Sequence, residues 1–292
     1  MTECRVEAPA KLNLTLDITG RRHDGYHILR MVLQTVTLCD YLLLRKTEGG
    51  IQLQCDREDL PCDETNLAYR AALAFFAYTG LPATGVQMVI EKNIPLAAGL
   101  AGGSADAAAV LVGLNALFET ELSLRTLCEI ALPLGADVPF SIVGGTVLAE
   151  GIGEIFDPLP SLPKCYFVIA KPQGGISTQN AYALYDEHTP ARRPDNDMMV
   201  AAVATGRLQS IGEELCNVLE EVCPLPEVAA IKQHMLDGGA LGALMSGSGS
   251  AVFGLFDNKA DAKRCVAALS EQYGEVFLVK PCPHGAVVTE HN

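Results

Sequence analysis

The chain has few basic residues to set against its acidic ones. It holds 21 Lys and Arg and 35 Asp and Glu, which gives a formal net charge of −14. Nucleic acids and anionic membranes are held by clustered Lys and Arg, so this shortage argues against both as partners. A phosphorylated ligand must then be held locally, by backbone N–H groups and one or two cations. The charge balance therefore favours a site for a small molecule.

The sequence also lacks a long apolar run and the spacing of a metal site. Ser104, Asp106 and Asn115 interrupt the longest apolar region, and the first seven residues lack the apolar core of a signal peptide. We therefore expect a cytoplasmic protein with no membrane partner. The ten cysteines form no Cys-x-x-Cys pair and no zinc-type cluster with histidine, so we expect reduced core thiols and assign no side chain to a metal.

Length and pattern predict two domains of mixed structure. A chain of 292 residues, 49% of them hydrophobic, is long enough for two compact units, and the proline-rich residues 157–163 are the best linker. We place the domains at residues 1–157 and 158–292. The second half has an order of strands and helices that suits an antiparallel sheet with helices on one face, so the fold class is α+β. The pattern predicts helices over 66–80, 104–118, 122–132, 197–205 and 226–237, and strands over 6–18, 28–44, 86–91, 144–151 and 165–170.

The first strand carries a polar pair. Apolar and polar residues alternate over residues 6–18, which predicts a half-buried strand with Lys11 and Asn13 on its polar face. A ligand could meet both side chains from one direction. The alternative is an ordinary strand face exposed to solvent.

A polar turn follows over residues 20–27, with Asp24 and Gly25 as its pivot. Tyr26 and His27 leave this turn together. They have the chemistry to stack on a heterocycle and hydrogen-bond its edge. The alternative, which the local sequence favours, is that they simply begin the next strand.

The segment we call the glycine loop, residues 95–104, runs without a break into an alanine-rich helix. Gly99, Gly102 and Gly103 allow consecutive N–H groups to converge on an anion, and Ser104 is expected to cap the helix whose positive end faces the same anion. The loop lacks the ending of a Walker P-loop and the spacing of a Rossmann fingerprint. The alternative is a tight turn into a buried helix.

Two carboxylates have simple structural explanations. Asp137 precedes Pro139, a pattern typical of a helix start, so the alternative to a catalytic role is that Asp137 caps that helix. For Asp106 we expect a place in the first helical turn after the glycine loop, where its charge interacts with the helix dipole.

Three separated motifs carry a resemblance to a known family. They are Pro-Ala-Lys-Leu-Asn-Leu at residues 9–14, the glycine loop with the residues that follow it, and Gly-Ser-Gly-Ser-Ala-Val-Phe at residues 247–253. In this order and spacing they resemble the GHMP kinases over essentially the whole chain. The resemblance implies a two-domain kinase of small molecules, with an N-terminal ATP-binding domain of mixed α and β structure.

Two further segments narrow the resemblance. Residues 20–27 and 135–140 are similar to those of the GHMP kinases that phosphorylate the 2-hydroxyl of a diphosphocytidyl methylerythritol, in the methylerythritol phosphate route to isoprenoids. This implies transfer from ATP to the hydroxyl, with Mg²⁺ as cofactor, and a partner that is a small molecule with a cytidine diphosphate group. For assembly we expect a monomer or a weak homodimer.

The resemblance also implies roles for named residues. Asp137 is the general base, Lys11 its cationic neighbour, and Asn13 orients the hydroxyl. His27 reads the cytosine edge while Tyr26 and Tyr182 stack on its two faces. The ATP site comprises Pro95, Leu96, Ala97, Ala98, Gly99, Leu100, Ala101, Gly102, Gly103 and Ser104, with Asn66 and Asn115 near the adenine.

The glycine loop departs from the commonest family form at two positions. Ala101 replaces a glycine, which leaves enough glycine for the phosphate cradle, and Ala105 replaces a serine, which leaves Ser104 as the candidate hydroxyl for Mg²⁺. Two other functions stay open. One is a GHMP kinase for another alcohol, such as mevalonate or a sugar, and the other is a nucleotide-binding regulator without phosphoryl transfer.

Overall fold

The computed structural model describes residues 1–81 and 85–291, arranged around two sheets. The strands are β1 Glu3–Arg21, β2 His27–Lys46, β3 Ile51–Cys55, β4 Val86–Glu91, β5 Thr146–Glu150, β6 Ile155–Pro158, β7 Tyr166–Lys171, β8 Cys216–Asn217, β9 Gly242–Met245, β10 Val252–Phe256, β11 Glu275–Val279 and β12 Val287–His291. The helices are α1 Leu67–Thr79, α2 Gly102–Leu117, α3 Leu124–Ala131, α4 Asp137–Val143, α5 Thr178–Asp186, α6 Asn196–Thr205, α7 Leu208–Glu214, α8 Pro226–Asp237 and α9 Lys259–Ser270.

The first sheet is built on a long antiparallel hairpin of β1 and β2, closed by the polar turn after Arg21. Its main strand order is β12-β1-β2-β4-β3, and β5 with β6 extends from a second section of β2. The alanine-rich α2 packs against β1 and α1 because small side chains let helix and strand approach closely. The sheet thus fixes α2, and with it the glycine loop, against the middle of β1.

The polar face of β1 is buried, not exposed to solvent. Lys11, Asn13 and Thr15 are each at most 5% exposed, because segments from the second half of the chain cover them. The Thr15 hydroxyl donates to the side chain of Asn196 at 2.6 Å, and the Asn13 N–H donates to the hydroxyl of Ser246 at 3.3 Å. The strand is therefore more buried than predicted, and the alternative of a polar face exposed to solvent is wrong. The alternating pattern of one strand carries no information on these partners.

The second sheet has the order β11-β7-β10-β9 and is antiparallel throughout. Helices α8 and α9 pack against one of its faces, with Val228, Ile231 and Cys265 in the core between them. Alternate residues of β7, such as Phe167 and Ile169, point to the opposite face and join the core of the first sheet. The antiparallel sheet with helices on one face is confirmed.

Two short strands beyond the proposed linker return to the first sheet. The strand β8 pairs parallel to β1, and β12 pairs antiparallel to β1. The division into domains at residues 1–157 and 158–292 stays a prediction. None of the helices in the described ranges is long and apolar enough to cross a membrane.

Candidate active site

A cleft of about 960 Å³ opens where the two halves of the chain meet. Its walls are β1, the polar turn before β2, the glycine loop, the start of α4, helix α5 and residues 247–249. Lys11 and Arg21 are the Lys and Arg side chains among the described residues that line it. In a chain of net charge −14, these two cations and the backbone N–H groups of the loop supply the positive potential that an anionic ligand needs.

The floor of the cleft brings Lys11, Asn13 and Asp137 together. The Lys11 ammonium donates to the Asn13 Oδ1 at 2.6 Å and lies 3.8 Å from the Asp137 Oδ2. The Lys11 side chain is 6% exposed and that of Asp137 is 37% exposed, so the carboxylate faces the cleft while the ammonium is buried beneath it. This pair can take a proton from a hydroxyl and stabilise negative charge at the same point.

Asp137 does not cap its helix. The N-cap position of α4 is Ala136, which makes no side-chain cap bond, and Asp137 is the first helical residue. The alternative role considered for this carboxylate is therefore wrong, because the helix begins one residue earlier than a cap at Asp137 requires. Its oxygens stay available to the cleft.

The glycine loop ends in a helix start that no side chain caps. The N-cap position of α2 is Ala101, which has a φ of 59° and makes no side-chain cap bond, and Ser104 lies inside the first turn. The prediction that Ser104 caps this helix is thus wrong, because the helix begins two residues before it. The first N–H groups of α2 have no hydrogen-bond partners within the helix and lie at its positive end. This end of the helix forms part of the cleft wall.

The second glycine loop, residues 246–250, holds the first loop in place. The Ser246 hydroxyl donates to the carbonyl of Gly99 at 3.0 Å, and the Ala251 N–H donates to the carbonyl of Ala98 at 3.1 Å. Since Ser246 also accepts from Asn13, one hydroxyl links both loops to β1. The second glycine loop therefore supports the first.

An aromatic corner lies at the other end of the cleft. The rings of His27 and Tyr182 stack with centroids 4.8 Å apart and an interplanar angle of 26°, and Tyr185 meets His27 edge-on. Tyr26 also lines the cleft and is 61% exposed. Burial, and after it the charge of Asp137, raises the pKa of Tyr182. The corner presents flat apolar surfaces and ring nitrogens, which suit a heterocyclic base.

Two predicted site residues lie away from the cleft wall. Asn66 caps α1 by accepting from the Ala68 N–H at 2.9 Å, and it is next to Leu67, which does line the cleft. Asn115 lies 13 residues after the start of α2, about 20 Å along the helix axis. Its Oδ1 accepts from the Leu122 N–H at 2.8 Å. In the structure Asn66 is the cap of α1, and Asn115 ties the end of α2 to the segment that follows it.

Asp106 is also placed differently from the prediction. It lies beyond the first turn of α2, is buried, and its Oδ2 accepts from the Lys92 ammonium at 2.7 Å. Lys92 is paired with the buried Asp40 as well, and Asp40 accepts from the N–H groups of Asn93 and Ile94, at the start of the glycine loop. The predicted interaction of Asp106 with the helix dipole is therefore wrong, because Asp106 lies beyond the first turn and binds Lys92 instead.

Sequence reasoning missed Asp186 and the Lys92 cluster. Asp186 accepts from His27 at 2.7 Å and lies one helical turn after Tyr182, on the same face of α5. That four-residue spacing was a signal for Asp186. The burial of Lys92 had no local signal, since its two partners come from β2 and α2.

Family models match both halves of the chain. The GHMP kinases N terminal domain matches residues 66–145, and the GHMP kinases C terminal domain matches residues 199–275. Among curated relatives, a 4-diphosphocytidyl-2-C-methyl-D-erythritol kinase of Clostridium botulinum is 43% identical over 276 residues, 94% of this chain and 98% of the relative. The kinase of the same name in Caldicellulosiruptor saccharolyticus is 45% identical over 280 residues, 95% of this chain and 96% of the relative.

Solved structures show the same likeness. A crystal structure of a 4-(cytidine 5'-diphospho)-2C-methyl-D-erythritol kinase superposes with a TM-score of 0.80 at 35% identity, covering 95% of this chain and 98% of that one. A homoserine kinase from Cytophaga hutchinsonii also superposes with a TM-score of 0.80, covering 99% and 98%, but at 22% identity. The second likeness shows the fold alone.

Proposed function

The chain belongs to the GHMP kinase family, and from that premise we propose how its cleft serves the reaction of the 4-diphosphocytidyl-2-C-methyl-D-erythritol kinases. The chain is an ATP-dependent kinase of a small-molecule alcohol. It phosphorylates the 2-hydroxyl of 4-diphosphocytidyl-2-C-methyl-D-erythritol, giving the 2-phosphate and ADP, in the methylerythritol phosphate route to isoprenoid precursors. The two-domain GHMP kinase fold expected from the sequence is confirmed.

One observation carries the assignment of the chemistry. The Lys11–Asp137 pair, at 3.8 Å, lies in the same cleft as the glycine loop and the aromatic corner. We propose that Asp137 accepts the proton of the 2-hydroxyl as the P–O bond forms. A tertiary alcohol is a very weak acid, so a carboxylate at hydrogen-bonding distance makes its oxygen a usable nucleophile.

Lys11 stabilises negative charge and does not act as the base. Its ammonium is held by Asn13 at 2.6 Å and is directed towards Asp137. From there it can stabilise charge that develops on the attacking oxygen and on the transferred phosphoryl group. The Oδ1 of Asn13 accepts from Lys11, and its Nδ2 donates one hydrogen to the sulfur of Met31 at 3.3 Å. The second hydrogen of Nδ2 is therefore the group left to orient the hydroxyl.

ATP is the phosphoryl donor, and the glycine loop is the proposed site of its phosphates. The loop supplies uncapped N–H groups at the start of α2, and residues 247–249 form the facing wall. This arrangement holds a triphosphate without a Walker lysine. The adenine contacts of Asn66 and Asn115 stay a prediction.

Mg²⁺ is proposed as a cofactor that the nucleotide carries. The described residues contain no group of three or more His, Cys, Asp or Glu side chains that could hold a metal ion. Mg²⁺ keeps several waters and accepts few protein ligands when phosphates bind it, so this donor set fits. Ser104, on the cleft wall in the first turn of α2, is the hydroxyl proposed to reach it. The ion supplies neutralisation of phosphate charge.

The aromatic corner is the proposed site of the cytosine. Tyr26, His27 and Tyr182 line the cleft beside Asp186, and a substrate without a base would leave these groups unused. A kinase for mevalonate, homoserine or a sugar is thereby disfavoured. The intact Lys11–Asp137 pair disfavours a regulator without phosphoryl transfer. The monomer or weak homodimer and the cytoplasmic location stay predictions.

The test is ADP release by the purified chain with Mg-ATP and 4-diphosphocytidyl-2-C-methyl-D-erythritol, beside reactions with mevalonate, homoserine and galactose. Turnover confined to the cytidyl substrate is expected. Turnover on another alcohol would be consistent with the proposed roles of Lys11 and Asp137 but would contradict the proposed cytosine site at the aromatic corner. Failure with every alcohol, with ATP still bound, would favour the regulator.

A further inference from the structure

The carboxylate of Asp186, at the aromatic corner, contacts both His27 and Arg21. Its Oδ1 lies 2.7 Å from the Nε2 of His27, and its Oδ2 accepts from the Nη1 of Arg21 at 3.2 Å. The Nε of Arg21 donates to the carbonyl of Gly25 at 3.1 Å. A side chain of α5 therefore fixes both the imidazole of His27 and the turn that carries it.

This contact determines where the proton of the His27 ring lies. An ionised carboxylate only accepts hydrogen bonds, so the Nε2 facing Asp186 must carry a hydrogen. The hydrogen bond to His27 is also the largest cause that holds the pKa of Asp186 below its ordinary value, so the carboxylate is ionised at neutral pH. In the neutral imidazole, Nδ1 is then an acceptor, and it points away from Asp186. Nδ1 has no hydrogen-bond partner within residues 1–81 and 85–291.

An acceptor at this place distinguishes two pyrimidine bases. The amino group at position 4 of cytosine donates hydrogen bonds, whereas the oxygen at position 4 of uracil accepts them. An Nδ1 without hydrogen accepts from the first and repels the second. The opposite tautomer, with hydrogen on Nδ1, would reverse this preference.

We propose that Asp186 is a positioning residue that sets the choice of base, by holding His27 with its hydrogen on Nε2 and its acceptor Nδ1 turned to the cytosine. The proposal rests on the proposed place of the base in this corner. Stacking on Tyr182 holds the plane of the His27 ring but does not select a tautomer, because a ring face carries no hydrogen-bond pattern. The carboxylate supplies that selection.

The tautomer can be observed without substrate. Long-range ¹H–¹⁵N spectra of the full chain resolve the two nitrogens of each of its six histidines, and His27→Phe assigns the signals of His27. We expect the Nε2–H form in the parent chain and loss of that preference in Asp186→Leu. Hydrogen on Nδ1 in the parent chain, or an unchanged His27 signal in Asp186→Leu, would overturn the proposal.

Kinetics test the consequence. With the cytidyl substrate, we expect Asp186→Leu to lower kcat/KM about 10- to 100-fold, while KM for ATP stays unchanged. The preference for the cytidyl substrate over its uridine analogue should fall. Asp186→Glu keeps an acceptor and should recover part of that preference. In a His27→Phe background, Asp186→Leu should have no further effect on the base preference, since the residue sets that preference through His27.

A second histidine–carboxylate pair provides the matched control. His188 and Glu221 lie 3.0 Å apart, and neither lines the cleft. Glu221→Gln should leave the base preference unchanged. Equal effects of Asp186→Leu in the parent and His27→Phe backgrounds would reject the proposal while leaving the kinase function intact. Absence of turnover by the parent chain with either nucleotide substrate would instead reject the function, and the spectra would still report the tautomer.

Discussion

Gly99 lies directly against Ser246, so that a Cβ atom on Gly99 would be 2.0 Å from the carbonyl oxygen of Ser246. Gly99 also has a φ of 74°, which residues with a side chain rarely adopt. Two loops far apart in sequence therefore need a residue without a side chain at their contact. This contact aligns the first glycine loop with Lys11 and Asn13, because Ser246 also binds the Asn13 backbone.

Gly99→Ala should separate the two glycine loops. The clash with backbone and the left-handed conformation together predict a loss of about 2–4 kcal/mol in the free energy of unfolding. The affinity for ATP should fall as well, and both are measured by urea unfolding and calorimetry. Gly103→Ala is the control for stability, since its Cβ would meet Leu67 at an ordinary 3.7 Å. Similar unfolding curves for the two variants would contradict the steric argument.

Asp137→Asn should greatly slow phosphoryl transfer while leaving ATP binding almost unchanged. The amide cannot take the hydroxyl proton, so kcat should fall about 10²- to 10⁴-fold. The dissociation constant of ATP should change little, because the phosphates are proposed to bind the glycine loop. Initial rates and calorimetry measure the two quantities. Asp59→Asn, an exposed surface carboxylate paired with Arg57, serves as control. A kcat near that of the parent would remove Asp137 from the mechanism.

Tyr26→Ala should weaken binding of the cytidyl substrate alone. Loss of one stacking surface predicts a rise in its KM of about 5- to 100-fold, with no change in KM for ATP. Tyr26 is 61% exposed, so the variant should keep its stability. Tyr78, which is 55% exposed on α1 and does not line the cleft, gives the matched control Tyr78→Ala. A parallel rise in both Michaelis constants would show that Tyr26 acts on the shape of the cleft and not on the base.

Local sequence patterns predicted the elements that local physics determines. The helix over 226–237 is confirmed at both ends, because Pro226 begins it and a Gly pair follows it. The short helix α7 was missed. Its seven residues start at Leu208, and the N-cap residue Arg207 makes no side-chain capping hydrogen bond. Its only buried residues, Ile211 and Gly212, give no helical stripe in the sequence.

The site was predictable as a set of motifs but not as a geometry. The motif that contains Lys11 was recognised, yet the burial of Lys11 depends on covering segments of the second half of the chain. Asp106 shows the same limit, because its partner Lys92 precedes the glycine loop and its neighbour Asp40 lies on β2. Such pairs are set by tertiary packing, and no periodicity in one segment reports them.

The buried cluster of Asp40, Lys92 and Asp106 predicts a dependence of stability on pH. Burial, and after it the charge of Asp40, raises the pKa of Asp106 from 3.8 to about 8. Burial alone would lower the pKa of Lys92, but the two carboxylates outweigh it and raise that pKa. Between pH 4 and 8 the folded chain therefore holds a proton on Asp106 that the unfolded chain has lost. The free energy of unfolding should fall over this range as pH rises.

Asp106→Asn removes that proton and should remove its part of the slope, which is at most about 1.4 kcal/mol per pH unit. The stability of the variant relative to the parent should therefore increase steadily from pH 5.5 to 7.5, measured by urea unfolding at each pH. Asp63→Asn is the control. The hydrogen bonds from Thr65 lower the pKa of exposed Asp63, so this group does not titrate between pH 5.5 and 7.5. If Asp106→Asn and the parent keep a constant stability difference across these pH values, Asp106 is ionised in the folded chain, and Lys92 alone neutralises two carboxylates beneath the glycine loop.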